Sequence, residues 1–292
     1  MRKQFVSTIS EIIAQDERLV LLLGDIGVYG FKELFSNFPD RVYNIGILEQ
    51  STISLGAGLS TQGLIPVIHT IAPFIVERAY EQIKNDFCYQ SQGGNFVSVG
   101  ASYDYPSSGP THHCPGDMGV LNMLPGMQTL IPGTANEFDS LFKQCYDNGS
   151  PTYYRLSSDH NQDDNEVELH KAKIVKQGSK GTIVAFGPVL DMALEAAKDM
   201  DVTVLYYTTV KPFDYNTMSD NYSEKIYVIE PFYTGTTYKD IIKSCRGKPV
   251  IIEGIGVPNK FLHHYGTKKE HDRALGFETL NIKNKIDNFL NQ

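Results

Sequence analysis

The feature that most constrains the fold is an alternation of short apolar runs with helical segments, which occurs twice along the chain. Leu19–Leu23 is a continuous apolar run closed by a glycine and an aspartate, as expected for a buried strand. Similar runs occupy residues 42–45, 65–69 and 95–99, and the segments with helical spacing are residues 3–15, 48–62 and 77–89. Apolar strands that alternate with helices predict a parallel sheet covered on both faces.

A polar, acidic stretch at residues 158–167 interrupts this alternation and is typical of a linker. A second series follows, with strands predicted at residues 182–186, 202–206, 225–229 and 250–252 and helices at residues 190–199, 234–244 and 279–291. The sequence therefore predicts an α/β protein of two domains, residues 1–157 and 168–292. Each domain should be a largely parallel sheet flanked by helices.

Composition excludes several classes of protein. The net charge is −8 and the longest basic run is Lys268-Lys269, so we expect no nucleic-acid partner. No apolar run approaches the roughly 20 residues that span a membrane, and the N-terminal segment predicts an amphipathic helix instead of a signal peptide. The four cysteines have no zinc-ligand spacing, which indicates free thiols and a reducing compartment. We therefore expect a cytoplasmic protein.

Glu49 follows a predicted strand and begins a predicted helix, in the segment Asn44-Ile45-Gly46-Ile47-Leu48-Glu49-Gln50. One interpretation is an ordinary acidic residue in the first helical turn, where the helix dipole favours negative charge. The other is a functional, partly desolvated carboxylate that shares a proton with a heterocyclic nitrogen. The residues around Glu49 leave both interpretations open.

Three other segments could carry function. Gly24-Asp25-Ile26-Gly27 follows the first strand but is neither a Walker loop nor a dinucleotide fingerprint. Phe74 lies just ahead of a predicted helix, where a lone phenylalanine is commonly part of the core. His112 and His113 lie in a loop rich in glycine and proline, which makes them better catalytic or substrate-binding candidates than core histidines. No third ligand has a suitable spacing, so no metal site is predicted on this chain.

Taken in order, these segments resemble the C-terminal two-thirds of transketolases, and the resemblance covers essentially the whole chain. The segments that carry it are Arg2-Lys3, Gly24-Asp25, Gly46-Ile47-Leu48-Glu49, Phe74 ahead of Arg78-Ala79-Tyr80-Glu81-Gln82, Gly109-Pro110-Thr111-His112, Pro151-Thr152-Tyr153-Tyr154-Arg155-Leu156, Lys211-Pro212-Phe213-Asp214 and Gly254-Ile255-Gly256-Val257-Pro258. The same series also resembles deoxyxylulose-phosphate synthases and the beta subunit of 2-oxoacid dehydrogenase E1 components.

The resemblance implies a site for thiamine diphosphate. By resemblance, Glu49 hydrogen-bonds N1′ of the aminopyrimidine and thereby activates the cofactor. Phe74 would stack on the pyrimidine, and Asp25 and Ile47 would lie in the cofactor cleft. His112 would hydrogen-bond the sugar substrate and help to move protons at its hydroxyls.

The resemblance also implies a split enzyme. In this superfamily a separate domain holds the diphosphate and Mg²⁺ through a GDG motif and a later asparagine, whereas this chain has Gly24-Asp25-Ile26 and no such asparagine. A second polypeptide, the N-terminal transketolase subunit, should therefore supply the metal and diphosphate site in an α2β2 heterotetramer. The expected reaction is transfer of a two-carbon ketol unit from a ketose donor to an aldehyde or sugar acceptor.

Departures from the family pattern concern the substrate. The resemblance places Arg2, Ser108 and His112 in the substrate site, with Arg2 kept as a phosphate-binding residue and Ser108 where the family has aspartate. Other family side chains are replaced by Tyr29, Ile71, Glu77, Gly100 and Ser158. Loss of an arginine removes a bidentate, charge-assisted phosphate contact. We therefore expect an acceptor other than a simple sugar phosphate, such as a nucleotide-linked or unphosphorylated sugar.

Alternative functions are a beta subunit of an E1 component, which Gly24-Asp25-Ile26-Gly27-Val28 resembles, and a deoxyxylulose-phosphate-synthase-like enzyme. The segment Gly109-Pro110-Thr111-His112 and the spacing at Phe74 favour transketolase. A third alternative, from a different class of protein, is a non-catalytic α/β binding subunit, for which Glu49 would be dispensable.

Overall fold

The computed structural model describes all residues from Met1 to Gln292 and contains two β-sheets with helices packed on them. The strands are β1 (Leu19–Leu23), β2 (Val42–Asn44), β3 (Ile65–Ile71), β4 (Gly94–Val99), β5 (Gln128–Leu130), β6 (Pro151–Arg155), β7 (Lys173–Lys176), β8 (Thr182–Phe186), β9 (Thr203–Tyr207), β10 (Thr209–Lys211), β11 (Lys225–Tyr233) and β12 (Ile251–Val257). The α-helices are α1 (Arg2–Gln15), α2 (Lys32–Asn37), α3 (Glu49–Thr61), α4 (Ala72–Val76), α5 (Tyr80–Gln82), α6 (Asp117–Asn122), α7 (Ala135–Cys145), α8 (Leu190–Ala196), α9 (Tyr215–Asp220), α10 (Tyr238–Ser244), α11 (Lys268–Leu275) and α12 (Thr279–Asn291). None of these helices is both long and apolar enough to cross a membrane.

The first sheet has seven strands in the order β10-β5-β6-β4-β3-β1-β2. All of its pairings are parallel except the one between β10 and β5. Leu19–Leu23 forms the buried strand that the sequence predicts, and alternate side chains of β1 enter two different cores. Leu22 packs into one core and Leu21 into the other, since successive side chains of a strand point to opposite faces.

The second sheet has five strands in the order β12-β11-β8-β9-β7, and only the edge strand β7 is antiparallel to its neighbour. A third core lies on this sheet and includes side chains of α8 and α12. The predicted fold class, two domains with largely parallel sheets flanked by helices, is confirmed.

The structure corrects the prediction around Phe74. The helix predicted at residues 77–89 begins three residues late, at Tyr80, where α5 starts and continues as a π-helical turn at Ile83–Cys88, and the separate helix α4 precedes it. Phe74 therefore lies within α4 instead of ahead of a helix. Pro73 explains the early start, because proline is favoured in the first turn, where its missing N–H costs no hydrogen bond.

The polar stretch between the two sheets contains no helix or strand from residue 158 to residue 167. It is nevertheless held in place, because the buried Asn161 donates its backbone N–H to the Gly133 carbonyl at 2.9 Å and its side-chain N–H to the Gly187 carbonyl at 3.1 Å. We propose this stretch as the boundary between the domains. It is a packed connection and not a loose one.

Candidate active site

The candidate residues of the first domain follow the carboxyl ends of neighbouring parallel strands. Asp25 follows β1, Glu49 follows β2, Phe74 follows β3 and His112 follows β4. These strands pair in one parallel array, so their carboxyl ends lie at the same edge of the sheet. Ligands of α/β proteins commonly bind at that edge.

Glu49 is the first residue of α3, and only 3% of its side chain is exposed. Its Oε2 accepts a hydrogen bond from Nη1 of Arg78 at 2.8 Å, whereas Oε1 is buried with no hydrogen-bond partner in the chain. A buried carboxylate oxygen without a donor destabilises the fold, since it has lost its hydrogen bonds to water and made none within the protein. Its position fits a ligand that brings an N–H or O–H donor.

Arg78 belongs to this site and was not among the residues predicted from the sequence. Its guanidinium carbon lies 4.1 Å from the centre of the Phe74 ring, a favourable cation–π arrangement. Arg78 thus contacts both Glu49 and Phe74. Phe74 and Arg78 are four residues apart, but Arg78 lies in the bend beyond the end of α4, so helical spacing does not account for their contact.

His112 also packs beside Phe74, with the two ring centres 5.3 Å apart and the planes at 69°. The Tyr105 ring is also close, at 6.1 Å from the imidazole. The Nδ1 atom of His112 is 2.9 Å from Oγ1 of Thr111, and Nε2 has no partner in the chain. One nitrogen is therefore oriented by the protein, and the other remains available to a substrate hydroxyl.

Asp25 and Ile47 lie in two loops that a third residue ties together. The side-chain oxygen of Asn44 accepts from the backbone N–H of Asp25 at 3.1 Å and of Gly46 at 3.2 Å, and its amide donates to the Asp25 carboxylate at 2.9 Å. Ile47 is 66% exposed and Leu48 is 56% exposed. The loop that leads to Glu49 thus presents apolar side chains to solvent. Asn44 was not predicted as a site residue.

Arg2 lines a cavity of about 360 Å³ together with Gly100, Asp104, Tyr105 and other residues. A side chain at Gly100 would collide with the Tyr105 ring, and its φ of +80° also favours glycine. The ring of Tyr105 therefore fills the space beside Gly100.

Two serines predicted near the substrate differ in position. Ser158 lines the same cavity, where its backbone N–H and hydroxyl donate to the Asp104 carboxylate, both at 2.8 Å. Burial raises the pKa of Asp104 above its ordinary value. Ser108 lies on the exposed 3-10 turn Pro106–Thr111 and does not line this cavity.

The chain contains no group of three or more His, Cys, Asp or Glu side chains arranged to hold a metal ion. All four cysteines are free, at positions 88, 114, 145 and 245. Burial raises the pKa of Cys88 and of Cys145 to about 11, so both stay protonated at neutral pH.

Comparison with known families identifies the class of protein. Residues 1–161 match the family model of the transketolase pyrimidine-binding domain, and residues 170–276 match that of the transketolase C-terminal domain. The first match alone spans more than half of the chain. The chain therefore belongs to the transketolase family.

Individual relatives agree with this assignment. An uncharacterized 33.6 kDa protein of the fasciation locus of Rhodococcoides fascians is 35% identical over 291 residues, which cover 98% of this chain and 93% of the relative. One of the subunits of an apulose-4-phosphate transketolase from Phocaeicola vulgatus is 28% identical, over 92% of this chain and 94% of the relative. Deoxyxylulose-phosphate synthases also match, but the chain spans only about half of their length.

Among solved structures, one described as a split gene transketolase, inactive beta4 tetramer, matches with a TM-score of 0.88. The match covers 99% of this chain and 98% of that one at 24% sequence identity. It shows that the two chains share a fold over their whole length.

Proposed function

We propose that this chain is the pyrimidine-binding subunit of a split transketolase that uses thiamine diphosphate to transfer a two-carbon ketol unit between sugars. The observation that carries the proposal is the state of Glu49, which is buried, held at Oε2 by Arg78 and without a partner at Oε1. The residues present fit the aminopyrimidine ring, because a protonated ring nitrogen would supply the missing donor at Oε1. When bound, the cofactor supplies the carbon chemistry of the transfer.

Each neighbouring side chain then has a physical role. Glu49 accepts a hydrogen bond at Oε1 and favours the protonated form of the ring nitrogen. Arg78 fixes the carboxylate through its contact at Oε2, so that Oε1 keeps one direction. Phe74 offers an aromatic face beside the carboxylate for stacking, and Asp25 and Ile47 border the cleft. His112 binds a substrate hydroxyl through Nε2 and moves protons there.

A second chain would complete the site. The exposed apolar residues Ile47 and Leu48 are next to Glu49 in sequence, and Tyr29 in the loop after β1 is also exposed. Exposed apolar side chains that flank a functional residue are candidates for a protein interface. We propose that a diphosphate-binding subunit, which brings Mg²⁺, covers this surface and that the assembly is an α2β2 heterotetramer. The relative from Phocaeicola vulgatus is itself named as one subunit of a transketolase, which supports a two-chain enzyme.

The acceptor is proposed to be a sugar without an obligatory terminal phosphate. In the cavity beside Arg2, Ser158 is engaged by the carboxylate of Asp104, and the ring of Tyr105 fills the space at Gly100. The backbone N–H and the hydroxyl of Ser158 both donate to Asp104, so they are not free to bind a phosphate. Comparable turnover of ribose 5-phosphate and unphosphorylated sugars would support this assignment, and a strict requirement for the phosphate would refute it.

The other candidate reactions are less well supported. Deoxyxylulose-phosphate synthases match over about half of their length, whereas the transketolase subunit matches over 94%. An E1 beta subunit would bind the lipoyl acyltransferase core of its complex, so association with that core in a pull-down would favour this alternative.

The decisive test is replacement of Glu49 by glutamine in the complex reconstituted with the diphosphate-binding subunit. Because glutamine cannot act as an anionic acceptor at Oε1, we expect ketol transfer to fall by about 100-fold or more. Glu81→Gln is the matched control, since Glu81 lies in α5 and is exposed. Full activity of Glu49→Gln would contradict the proposed function and favour a non-catalytic binding subunit.

A further inference from the structure

The second domain contacts the loop that carries His112, and we propose that these contacts position His112 for the substrate. The contacting segment is residues 258–275, which form the loop after β12 and the helix α11; we call it the clasp. The contacted loop runs from Tyr103 to His113 and is called the histidine loop. The inference rests on the proposed function, because it takes His112 as the substrate-binding histidine.

The clasp holds the first residue of the histidine loop through several contacts. The buried Tyr103 donates its hydroxyl to Oδ1 of Asp272 at 2.8 Å. The Lys268 ammonium lies 4.9 Å from the centre of the Tyr103 ring, and the His271 ring lies 5.6 Å from it. Lys268 also pairs with Asp159 at 2.6 Å, which fixes α11 to the chain that follows β6. Tyr103 is thus anchored to one face of α11.

The clasp also holds the last residue of the histidine loop. His113 is buried, and its ring meets the ring of His271 edge to face, with centres 5.8 Å apart at 86°. Neither ring nitrogen of His113 has a hydrogen-bond partner in the chain. Packing against α11 therefore holds the His113 ring, while its backbone N–H donates to the Pro110 carbonyl at 3.4 Å. Because His112 is its neighbour in the chain, the backbone direction at His112 depends on the same packing.

A third contact lies in the middle of the histidine loop. Gly109 has φ +70° and ψ −164°, and a methyl group there would lie only 2.7 Å from Cε1 of Tyr265. The Tyr265 ring thus rests directly on the Gly109 backbone. The Gly109 carbonyl accepts the backbone N–H of His112 at 3.0 Å, so Tyr265 supports the turn that sets the direction of His112.

One segment of the second domain therefore fixes both ends and the middle of the histidine loop. Within the first domain the loop base is closed by a bridge between Ser102 and Cys114, and Phe74 contacts the His112 ring. Catalytic geometry is sensitive to shifts of about 1 Å, which can cost roughly 100-fold in rate. The second domain thus has a part in the reaction through the position of His112.

The test compares Tyr265→Ala, Tyr265→Phe and the matched control Phe261→Ala in the reconstituted complex. Phe261 lies in the same loop and is 71% exposed, close to the 68% of Tyr265, but its ring lies beside His263 instead of Gly109. We expect Tyr265→Ala to lower kcat/KM for the ketose donor by about 10- to 100-fold while the Kd for thiamine diphosphate stays within about twofold. Tyr265→Phe should retain activity, since the ring supplies the contact with Gly109, and Phe261→Ala should behave as the wild type.

Hydrogen–deuterium exchange of this chain provides a readout that is independent of activity. In Tyr265→Ala, amides of the histidine loop should exchange faster while those of α3 and α4 remain unchanged. His271→Phe, which keeps a ring in the buried position, serves as the second variant and should give a smaller effect than Tyr265→Ala. Unchanged kcat/KM in Tyr265→Ala, or an equal loss in Phe261→Ala, would overturn the inference.

The outcome for Glu49→Gln separates this inference from the proposed function. If Glu49→Gln is inactive and His112→Ala is impaired while Tyr265→Ala is fully active, the clasp does not position His112 and the proposed function stands. If Glu49→Gln is fully active, the proposed function itself is wrong.

Discussion

Replacing Arg78 by glutamine removes the cation that joins Glu49 to Phe74 and keeps a polar side chain of moderate length. The guanidinium donates to the Glu49 carboxylate at 2.8 Å and lies 4.1 Å from the centre of the Phe74 ring. Without it, both oxygens of the buried carboxylate lack a donor within the chain. We expect Glu49 to lose its fixed orientation toward the cofactor.

The size of the effect follows from the two contacts. A hydrogen bond to a charged group contributes about 1.5–3 kcal/mol, but Arg78 is 38% exposed, so solvent screening reduces this to about 1 kcal/mol. A cation–π contact at a partly exposed site adds about 0.5–1 kcal/mol. The sum of about 2 kcal/mol sets an upper limit of about 30-fold on the weakening of the Kd for thiamine diphosphate, since 1.4 kcal/mol is a factor of ten.

Titration calorimetry of the reconstituted complex with thiamine diphosphate and Mg²⁺ measures this Kd directly. Arg41→Gln is the matched control, because the Arg41 guanidinium also lies over a phenylalanine, 4.8 Å from the centre of the Phe38 ring. An unchanged Kd in Arg78→Gln would refute the reasoning. A tighter Kd would also refute it, since Arg78 would then occupy the place of the pyrimidine instead of supporting Glu49.

Three further predictions concern stability. Burial raises the pKa of Glu230 to about 7 from 4.5, so the folded state binds an extra proton between these pH values and the free energy of unfolding falls as the pH rises. In urea unfolding, the free energy of unfolding of Glu230→Gln should therefore rise relative to the wild type by up to about 3 kcal/mol from pH 4.5 to pH 7, with no further rise above pH 7. Asp117→Ala leaves the buried Arg155 without its partner at 2.7 Å and should lower the free energy of unfolding by about 3–5 kcal/mol, and a loss below about 1 kcal/mol would contradict this. Gly100→Ala should lower the free energy of unfolding by about 1–3 kcal/mol, because φ is +80° and the new methyl group collides with the Tyr105 ring. The melting temperature of this variant should recover in part when Tyr105 is also replaced by leucine.

The sequence predicts a strand such as Leu19–Leu23 well, because a continuous apolar run of this length is typical of a strand that is buried on both faces of a sheet. The three-residue strands β5 and β10 were missed, although β2, which is equally short, was predicted. The buried strand β6 was also missed, because its residues Pro151–Arg155 form no continuous apolar run. The boundary at Phe74 was also misplaced, since a proline in a first turn and a break after Val76 leave almost no helical pattern.

At the site, the sequence indicates which side chains can do chemistry but not which ones support them. Glu49 and Arg78 are 29 positions apart, and their ion pair depends on the packing of α3 beside the start of α5. The contacts of the clasp with the histidine loop join positions more than 150 residues apart, as between Tyr103 and Asp272. The spacing of residues within a segment does not indicate such long-range pairs. They follow from the way the second sheet is placed against the first.

Strand β10 comes from the second half of the chain, yet its hydrogen bonds are made with β5 at the edge of the first sheet. Each half of the protein is therefore incomplete on its own. A fragment that ends before Thr209 would leave the backbone N–H and C=O groups of β5 unpaired at the edge of the first sheet. Such an exposed edge strand tends to pair with the same strand of another molecule, so the fragment should self-associate. Genetic fusion or shortening of this subunit would accordingly have to keep the two halves together, and its two sheets should melt as one cooperative unit.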